Sequence, residues 1–169
     1  RVQILKPGCG VGGHCIAIDP WFIASQCPQN SKLIQTARNV NKYKTRWSIK
    51  LIRNRIKNLE INLGRKAIVG IFGLTFKQDI DDIRESPALK IAEKLSQNGY
   101  DFEYSDPHVP IVLFKNKIKK AKKLTKALLK KYKIIFIATD HSKFNYKFIS
   151  KNAKYIFDSR NIIKNRNLN

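Results

Sequence analysis

The sequence has no methionine, only three cysteines, and 12 acidic residues against 34 lysines and arginines. Because the cysteines form no CxxC pair and are odd in number, we predict neither a disulfide framework nor a metal site. Such sparing use of cysteine favours a reduced, cytoplasmic setting. The chain opens on Arg1 rather than methionine, so we expect it to be a fragment of a longer protein.

Long apolar runs are also missing. No stretch reaches the roughly 18 apolar residues of a membrane-spanning helix, and no charged-then-apolar leader opens the chain, so no membrane partner is predicted. Apolar residues still make up 43% of the sequence, an ordinary share for a protein that packs a core. The length suits about one domain, or a small domain with a helical appendage.

The formal net charge of +22 raises the possibility of nucleic-acid binding, because basic proteins displace counterions from phosphates. However, lysine is frequent in apolar and polar segments alike. The densest run, residues 115–133, lacks the interleaved aromatic residues of single-strand binders. We therefore predict a solvated helix face there and no nucleic-acid partner.

A glycine-rich stretch near the start of the chain carries the clearest chemical signal. Residues 6–20 read KPGCGVGGHCIAIDP, with four glycines at positions 8–13 and then Cys15 and Asp19. Glycines let backbone N–H groups approach phosphate or sugar oxygens, and a thiolate is a strong nucleophile near neutral pH. Composition alone leaves an alternative open, in which a flexible turn precedes an ordinary buried cysteine.

The next feature is a long amphipathic segment. Ser31 is placed to cap a helix over Lys32–Leu63 that ends at Gly64, and its apolar residues recur at steps of three and four. A helix of about 30 residues reaches on the order of 45 Å, more than a small domain covers. It therefore connects two domains or pairs with a partner chain. Two shorter helices, broken near Tyr43 and Lys44, are the alternative.

The rest of the sequence alternates strand and helix patterns. This alternation predicts an α/β fold with right-handed crossovers and a parallel sheet, and the change of pattern divides the chain into residues 1–64 and 65–169. The predicted strands are Ala67–Phe72, Asp101–Ser105, Ile134–Ala138 and Tyr155–Asp158. The predicted helices are Trp21–Gln26 (short and buried), Pro87–Asn98, Lys119–Lys131 and Phe144–Lys151.

Ligands of parallel α/β sheets bind at the carboxyl ends of the strands. Three polar runs follow predicted strands or lie between them: GLTFK at 73–77, DDIRESP at 81–87 and DSRN at 158–161. Their cations Lys77, Arg84 and Arg160 suit a pyrophosphate, although each taken singly is more typical of a surface or capping residue. Ser86 and Pro87 also form an ordinary helix start.

Taken together, the glycine-rich stretch and these runs closely resemble the UDP-sugar 6-dehydrogenase family. The branch that oxidises UDP-N-acetylmannosamine is the most similar, because there Gly-Gly-His-Cys precedes Ile-x-x-Asp-Pro. The resemblance covers essentially the whole chain and implies a long central helix followed by a Rossmann-like parallel-sheet domain that binds UDP. The family's N-terminal Rossmann domain, with its catalytic lysine and asparagine, is missing from the sequence.

The resemblance also implies site residues. Cys15 is the implied nucleophile, Asp19 helps to activate water, and Arg84 touches NAD. The positions implied to wrap or hold the UDP-sugar are Arg1 (from a neighbouring subunit), Lys6, Gly8, Gly10, Gly12, Phe76, Lys77 and Arg160. His14 is assigned a structural role, because adjacent side chains of an extended segment point to opposite faces.

The activity that the resemblance implies is oxidation of the sugar C6 alcohol to a uronic acid, through a cysteine thiohemiacetal and thioester, for surface polysaccharide precursors. NAD is the implied cofactor, and a homodimer formed through the long helix is expected. The alternative is a non-catalytic remnant that only binds UDP-sugars or dimerises. The missing cofactor domain keeps this alternative open.

Overall fold

The computed structural model describes residues 6–63 and 68–164. Arg1, Gly64 and the start of the predicted strand Ala67–Phe72 lie outside them. The helices are α1 (Asp19–Gln26), α2 (Lys32–Leu63), α3 (Pro87–Gln97), α4 (Lys126–Lys131) and α5 (Tyr146–Asn152). The strands are β1 (Val69–Phe72), β2 (Phe102–Ser105), β3 (Ile111–Phe114), β4 (Lys117–Lys120), β5 (Ile134–Ile137) and β6 (Ile156–Asp158). The predicted α/β class, with a long helix before a parallel sheet, is confirmed.

A four-stranded parallel sheet lies at the centre of the fold, in the order β2-β1-β5-β6. Both central strands are fully buried, as their continuous apolar sequences predict. Val69 is in register with Phe102 on one side and Ile134 on the other. The chain runs outward from β1 to β2 on one side of the sheet and from β5 to β6 on the other. The topological switch point, where the strand order reverses, therefore lies between β1 and β5.

Helices cover both faces of the sheet. On one face, Ile52 and Ile56 of α2 and Ile91 of α3 pack over Ile71. On the other face, α4 and α5 pack over alternate residues of the same strands, Phe72 among them. The start of α3 is as predicted, because the Ser86 side chain accepts the Leu89 N–H and Pro87 occupies the first turn.

Helix α2 is a single helix of 32 residues, so the alternative of two shorter helices is wrong. Its second half packs against the sheet, whereas in its first half Leu33 is 83% and Val40 61% exposed. Helix α1 forms close to the predicted place but is not buried: Phe22 is 65% exposed, and Ala24 is its buried residue. The reason is that α1 rests on the exposed half of α2, outside the sheet core.

The predicted helix Lys119–Lys131 is wrong in its first half. Residues 111–120 form an antiparallel hairpin of β3 and β4, and α4 begins only after the Thr125 cap. Lys115 and Asn116 take φ of 47° and 60° at the turn, as a two-residue hairpin requires. Lysines on β4 hid the alternation expected of a strand.

Among the described residues, no helix is long and apolar enough to cross a membrane.

Candidate functional site

A cleft of about 920 Å³ opens between the glycine loop (residues 6–15), α1 and the first half of α2. Aliphatic side chains from both helices make up much of its wall, among them Ile23, Ile34 and Val40. Five of the residues predicted from the sequence line this cleft: Lys6, Gly8, Gly10, Cys15 and Asp19. The structure therefore brings the proposed nucleophile and its neighbouring carboxylate to one concave surface.

Two polar residues of α2, missed in the sequence analysis, hold the glycine loop. The Asn41 side chain accepts the Val11 N–H at 2.7 Å and donates to the Val11 carbonyl at 3.0 Å. One helical turn later, the Thr45 hydroxyl donates to the Cys9 carbonyl at 2.9 Å. Their spacing of four residues puts both on one helix face. The four-residue spacing was the signal in the sequence for this role, but polar residues at that spacing are common on solvent-exposed helix faces.

The opposite side of the glycine loop packs against two of the polar runs, 73–77 and 81–87. A Cβ added at Gly12 would lie 2.4 Å from the Glu85 carbonyl oxygen, so only glycine fits this approach. Gly13 has a φ of 92° and donates its N–H to the Arg84 carbonyl at 3.2 Å. The Phe76 ring lies directly beside Gly13. Gly12 and Phe76 thus join the glycine loop to these polar runs and do not line the cleft.

The three cysteines have different surroundings. Cys15 is exposed, and its carbonyl accepts the Asp19 N–H at 2.8 Å, so it stands immediately before α1. Cys27 is also exposed, just beyond the other end of that helix. Cys9 is buried, and its burial raises the pKa of the thiol to about 11. Of the three, Cys15 alone is both exposed and part of the cleft wall.

The three predicted cations are used differently. Arg160 donates from Nε to Asp140 at 2.8 Å and from Nη1 to the Lys6 and Pro7 carbonyls at 3.2 and 3.1 Å, so it holds the start of the glycine loop. Lys77 is exposed after β1. Neither Lys77 nor Arg84 lines the cleft.

Arg84 forms an ion pair with Asp82, two residues before it. Its Nη2 lies 2.6 Å from Asp82 Oδ2, and its side chain is 64% exposed. The hydrogen bond from the Arg84 side chain lowers the pKa of Asp82 to about 2. In the same way, Asp82 raises the pKa of Arg84, so both groups are charged at neutral pH.

A buried histidine marks the carboxyl edge of the sheet. His141 is fully buried after β5, and its Nδ1 accepts the Asp79 N–H at 3.0 Å. Its Nε2 therefore carries the proton and donates to Asp106 Oδ2 at 3.2 Å. Burial opposes ionisation of Asp106, but hydrogen bonds from His141 and from the Leu74 and His108 amides outweigh it and lower the pKa of Asp106.

Comparison with known proteins identifies the family. Residues 70–165 match the UDP-binding domain of the UDP-glucose/GDP-mannose dehydrogenase family, and residues 1–43 match its central domain. The chain belongs to this family. The resemblance inferred from the glycine-rich stretch and the three polar runs is therefore confirmed.

Two curated proteins with similar sequences share one name. The UDP-N-acetyl-D-mannosamine dehydrogenase of Campylobacter jejuni is 51% identical over 110 residues, which are 64% of this chain and 26% of that protein. Its counterpart in Escherichia coli (strain K12) is 50% identical over 100 residues, which are 57% of this chain and 24% of that protein. The chain thus spans about a quarter of the length of these curated relatives.

Solved structures extend the similarity to nearly all of the chain. The UDP-D-ManNAc dehydrogenase of Pyrococcus horikoshii superposes with a TM-score of 0.77 at 31% identity, covering 99% of this chain and 39% of that one. A UDP-N-acetyl-mannosamine dehydrogenase of Staphylococcus aureus gives a TM-score of 0.73 at 37% identity, covering 98% and 38%. The fold assignment therefore includes α1 and α2 as well as the sheet.

Proposed function

We propose that this chain provides the active-site loop, central helix and UDP-sugar-binding domain of an NAD-dependent UDP-N-acetyl-D-mannosamine 6-dehydrogenase. The observation that carries the proposal is the position of Cys15, which is exposed at the end of the glycine loop and lines the same cleft as Asp19. Similarity to relatives that bear this name supports the choice of sugar. The proposed setting is the cytoplasm, where the product serves surface polysaccharide synthesis.

The proposed reaction converts the C6 alcohol of the sugar to a carboxylic acid and removes two hydrides. NAD⁺, when bound, accepts these hydrides. Between the two oxidations, Cys15 Sγ bonds to the aldehyde carbon and the carbonyl oxygen gains a proton, which gives a thiohemiacetal. Loss of a hydride from that carbon, together with release of the proton from its hydroxyl group, leaves a thioester.

Hydrolysis of the thioester completes the proposed reaction. Asp19 accepts a proton from the attacking water, the water oxygen bonds to the carbonyl carbon, and the C–S bond breaks. The acid leaves and the Cys15 thiol is restored. Asp19 suits this role because its own N–H bonds the Cys15 carbonyl at 2.8 Å, which fixes the two residues relative to each other.

Arg84 is the residue proposed to contact NAD. It fits an anionic group, because its guanidinium is charged, exposed and held by Asp82. It also lies near the reaction centre, because its carbonyl accepts the Gly13 N–H two residues before Cys15. A cofactor phosphate held by Arg84 would therefore lie close to the loop that carries Cys15.

The UDP-sugar is proposed to contact Lys6, Gly8, Gly10 and Lys77. The first three line the cleft, and Lys77 places a solvated charge at the carboxyl end of β1, where a diphosphate is bound in parallel α/β sheets. Arg160 and Phe76 act through the glycine loop, because one holds its start and the other packs beside Gly13. The role of Arg1 toward a neighbouring subunit stays a prediction.

The proposed partner for α1 and the first half of α2 is a second copy of the chain. Leu33 and Tyr43 of α2 and Phe22 of α1 are all exposed large apolar residues that do not line the cleft. Burying them would recover hydrophobic free energy at about 25 cal/mol per Å². A homodimer formed through α2 supplies such a cover.

A chimera tests the proposed function. The amino-terminal section of the Campylobacter jejuni relative is joined to this chain, and uronic acid and NADH are measured with UDP-N-acetylmannosamine. We expect Cys15→Ser to bind the UDP-sugar and make no detectable acid, while Cys27→Ser, which changes the other exposed thiol, keeps the full rate. Acid production at full rate by Cys15→Ser would refute the proposal.

A further inference from the structure

Three side chains with metal-binding atoms meet at the carboxyl edge of the sheet. Asp79, His108 and His141 follow strands β1, β2 and β5 respectively. Asp79 Oδ1 lies 3.5 Å from His108 Nε2 and 3.7 Å from His141 Nδ1. All three ligand atoms lie within 4.8 Å of one another.

His141 is held in the orientation that a metal ligand needs. Its ring is fully buried, and its Nε2–H donates to Asp106 Oδ2 at 3.2 Å. This contact turns Nδ1 toward Asp79. A carboxylate bonded to the second ring nitrogen is the usual support of a metal-binding histidine, because it fixes the tautomer and raises the basicity of the ligand.

His108 supplies the second imidazole. Its Nε2 is buried and has no hydrogen-bond partner among the described residues, and its ring centroid lies 5.0 Å from that of His141. A buried polar atom without a partner has a free-energy cost. A cation between His108 and Asp79 would remove this cost, and Asp79 Oδ1 already lies 3.5 Å from the His108 Nε2.

We propose that Asp79, His108 and His141 bind a divalent first-row transition-metal ion, with Zn²⁺ as the representative case. Two imidazoles and one carboxylate suit such ions, and three protein ligands leave a fourth position for water. Donor atoms around tetrahedral zinc are about 3.4 Å apart, close to the distances of 3.5 and 3.7 Å between Asp79 Oδ1 and the two ring nitrogens.

Binding of the ion has to replace one hydrogen bond of His141. The ion takes the Nδ1 lone pair of His141 that now accepts the Asp79 N–H at 3.0 Å, and bonds from the ion to Nδ1 and to Asp79 Oδ1 compensate. Asp79 Oδ1 retains a second lone pair for the Ser142 N–H, which it accepts at 2.8 Å. The bound ion would fasten the three loops to one another, including the loop that carries Lys77.

Calorimetric titration with Zn²⁺ tests the site. Cys15 and Cys27 are exposed thiols that also bind zinc, so the titration uses the Cys15→Ser/Cys27→Ser chain. We expect one equivalent of zinc to bind, and His108→Gln to weaken its affinity about tenfold or more. His14→Gln is the matched control, because it removes an imidazole outside the cluster, and its affinity is expected to be unchanged.

A second measurement keeps the result independent of folding defects. Circular dichroism checks that His108→Gln retains the fold, and ¹H–¹⁵N correlation spectra of the imidazoles in the unsubstituted histidine background follow zinc addition. We expect the His108 and His141 signals to shift and the His14 signal to stay. Absence of zinc binding, equal affinity in folded His108→Gln, or a shift of His14 alone would each overturn the proposal.

Discussion

Arg160 Nη1 donates a hydrogen bond to the carbonyl oxygen of Pro7 at 3.1 Å, across 153 positions of sequence. The same guanidinium bonds Asp140 through Nε at 2.8 Å. The end of the last strand therefore holds the beginning of the glycine loop. This link makes the geometry of the cleft depend on the sheet domain.

Replacing Arg160 should destabilise the chain. Arg160→Gln removes the charged bond to Asp140 and leaves that carboxylate, which is buried, without it. Loss of such a bond costs about 1.5–3 kcal/mol, and urea denaturation measures it as a fall in the free energy of unfolding. Arg84→Gln is the control, because its ion pair is exposed and should contribute little. Equal losses in the two variants would contradict this role of Arg160.

Lys77 should contribute directly to UDP binding. Lys77→Ala removes a charge-assisted contact with the diphosphate, so we expect calorimetry to show about tenfold or greater weakening of UDP affinity. Lys130→Ala is the matched control, because Lys130 is an exposed lysine in the last turn of α4, near the amino ends of the strands. Unchanged UDP affinity in Lys77→Ala would remove Lys77 from the site.

Local sequence patterns predicted much of the fold. The apolar runs of β1 and β5 and the Ser86–Pro87 start of α3 were recognisable because each rests on neighbouring residues. The β3-β4 hairpin was missed, because its lysines resemble a solvated helix face and its turn has no glycine. The hairpin is instead held against β2 by tertiary contacts, including the Lys119 Nζ bond to the Phe102 carbonyl at 3.0 Å.

The motifs of the site were predictable from the sequence, but the residues that hold the glycine loop in place were not. Cys15 ends the glycine loop and Asp19, four residues later, is the first residue of α1, so their meeting at the cleft follows from that spacing. The residues that hold the loop come from distant positions, Asn41 and Thr45 on α2 and Arg160 after β6. The cluster of Asp79 and the two histidines is likewise assembled by three different strands, so no sequence spacing signals it.

Helix α2 should mediate association. The variant Leu33→Ser/Tyr43→Ser removes two exposed apolar side chains of α2 that do not line the cleft. We expect sedimentation to show a dimer for the unmodified chain and a species near 19.5 kDa for the variant. Leu113→Ser is the control, because Leu113 is 69% exposed but lies on the hairpin. A monomer of the unmodified chain at micromolar concentration would rule out this dimer.

Asp82 should titrate at unusually low pH. Its carboxyl signal is expected to titrate near pH 2 by NMR, and in Arg84→Gln to move toward the ordinary value of 3.8. Because the pKa in the folded chain is below that in the unfolded chain, the small stabilisation by this exposed pair is present above pH 3.8 and is lost as the pH falls through about 2. Titration of Asp82 at the ordinary value would show that the pair does not form in solution.

The reactivity of Cys15 tests the central claim most directly. Iodoacetamide labelling at neutral pH, read by mass spectrometry, distinguishes the three thiols. We expect Cys9 to stay unlabelled, because it is buried and its pKa is raised to about 11, while Cys15 and Cys27 are exposed. Cys15 should label first, and UDP-N-acetylmannosamine should slow labelling of Cys15 while leaving Cys27 unchanged. Equal labelling of all three cysteines, or no protection of Cys15 by saturating UDP-sugar, would contradict a nucleophile in a UDP-sugar cleft.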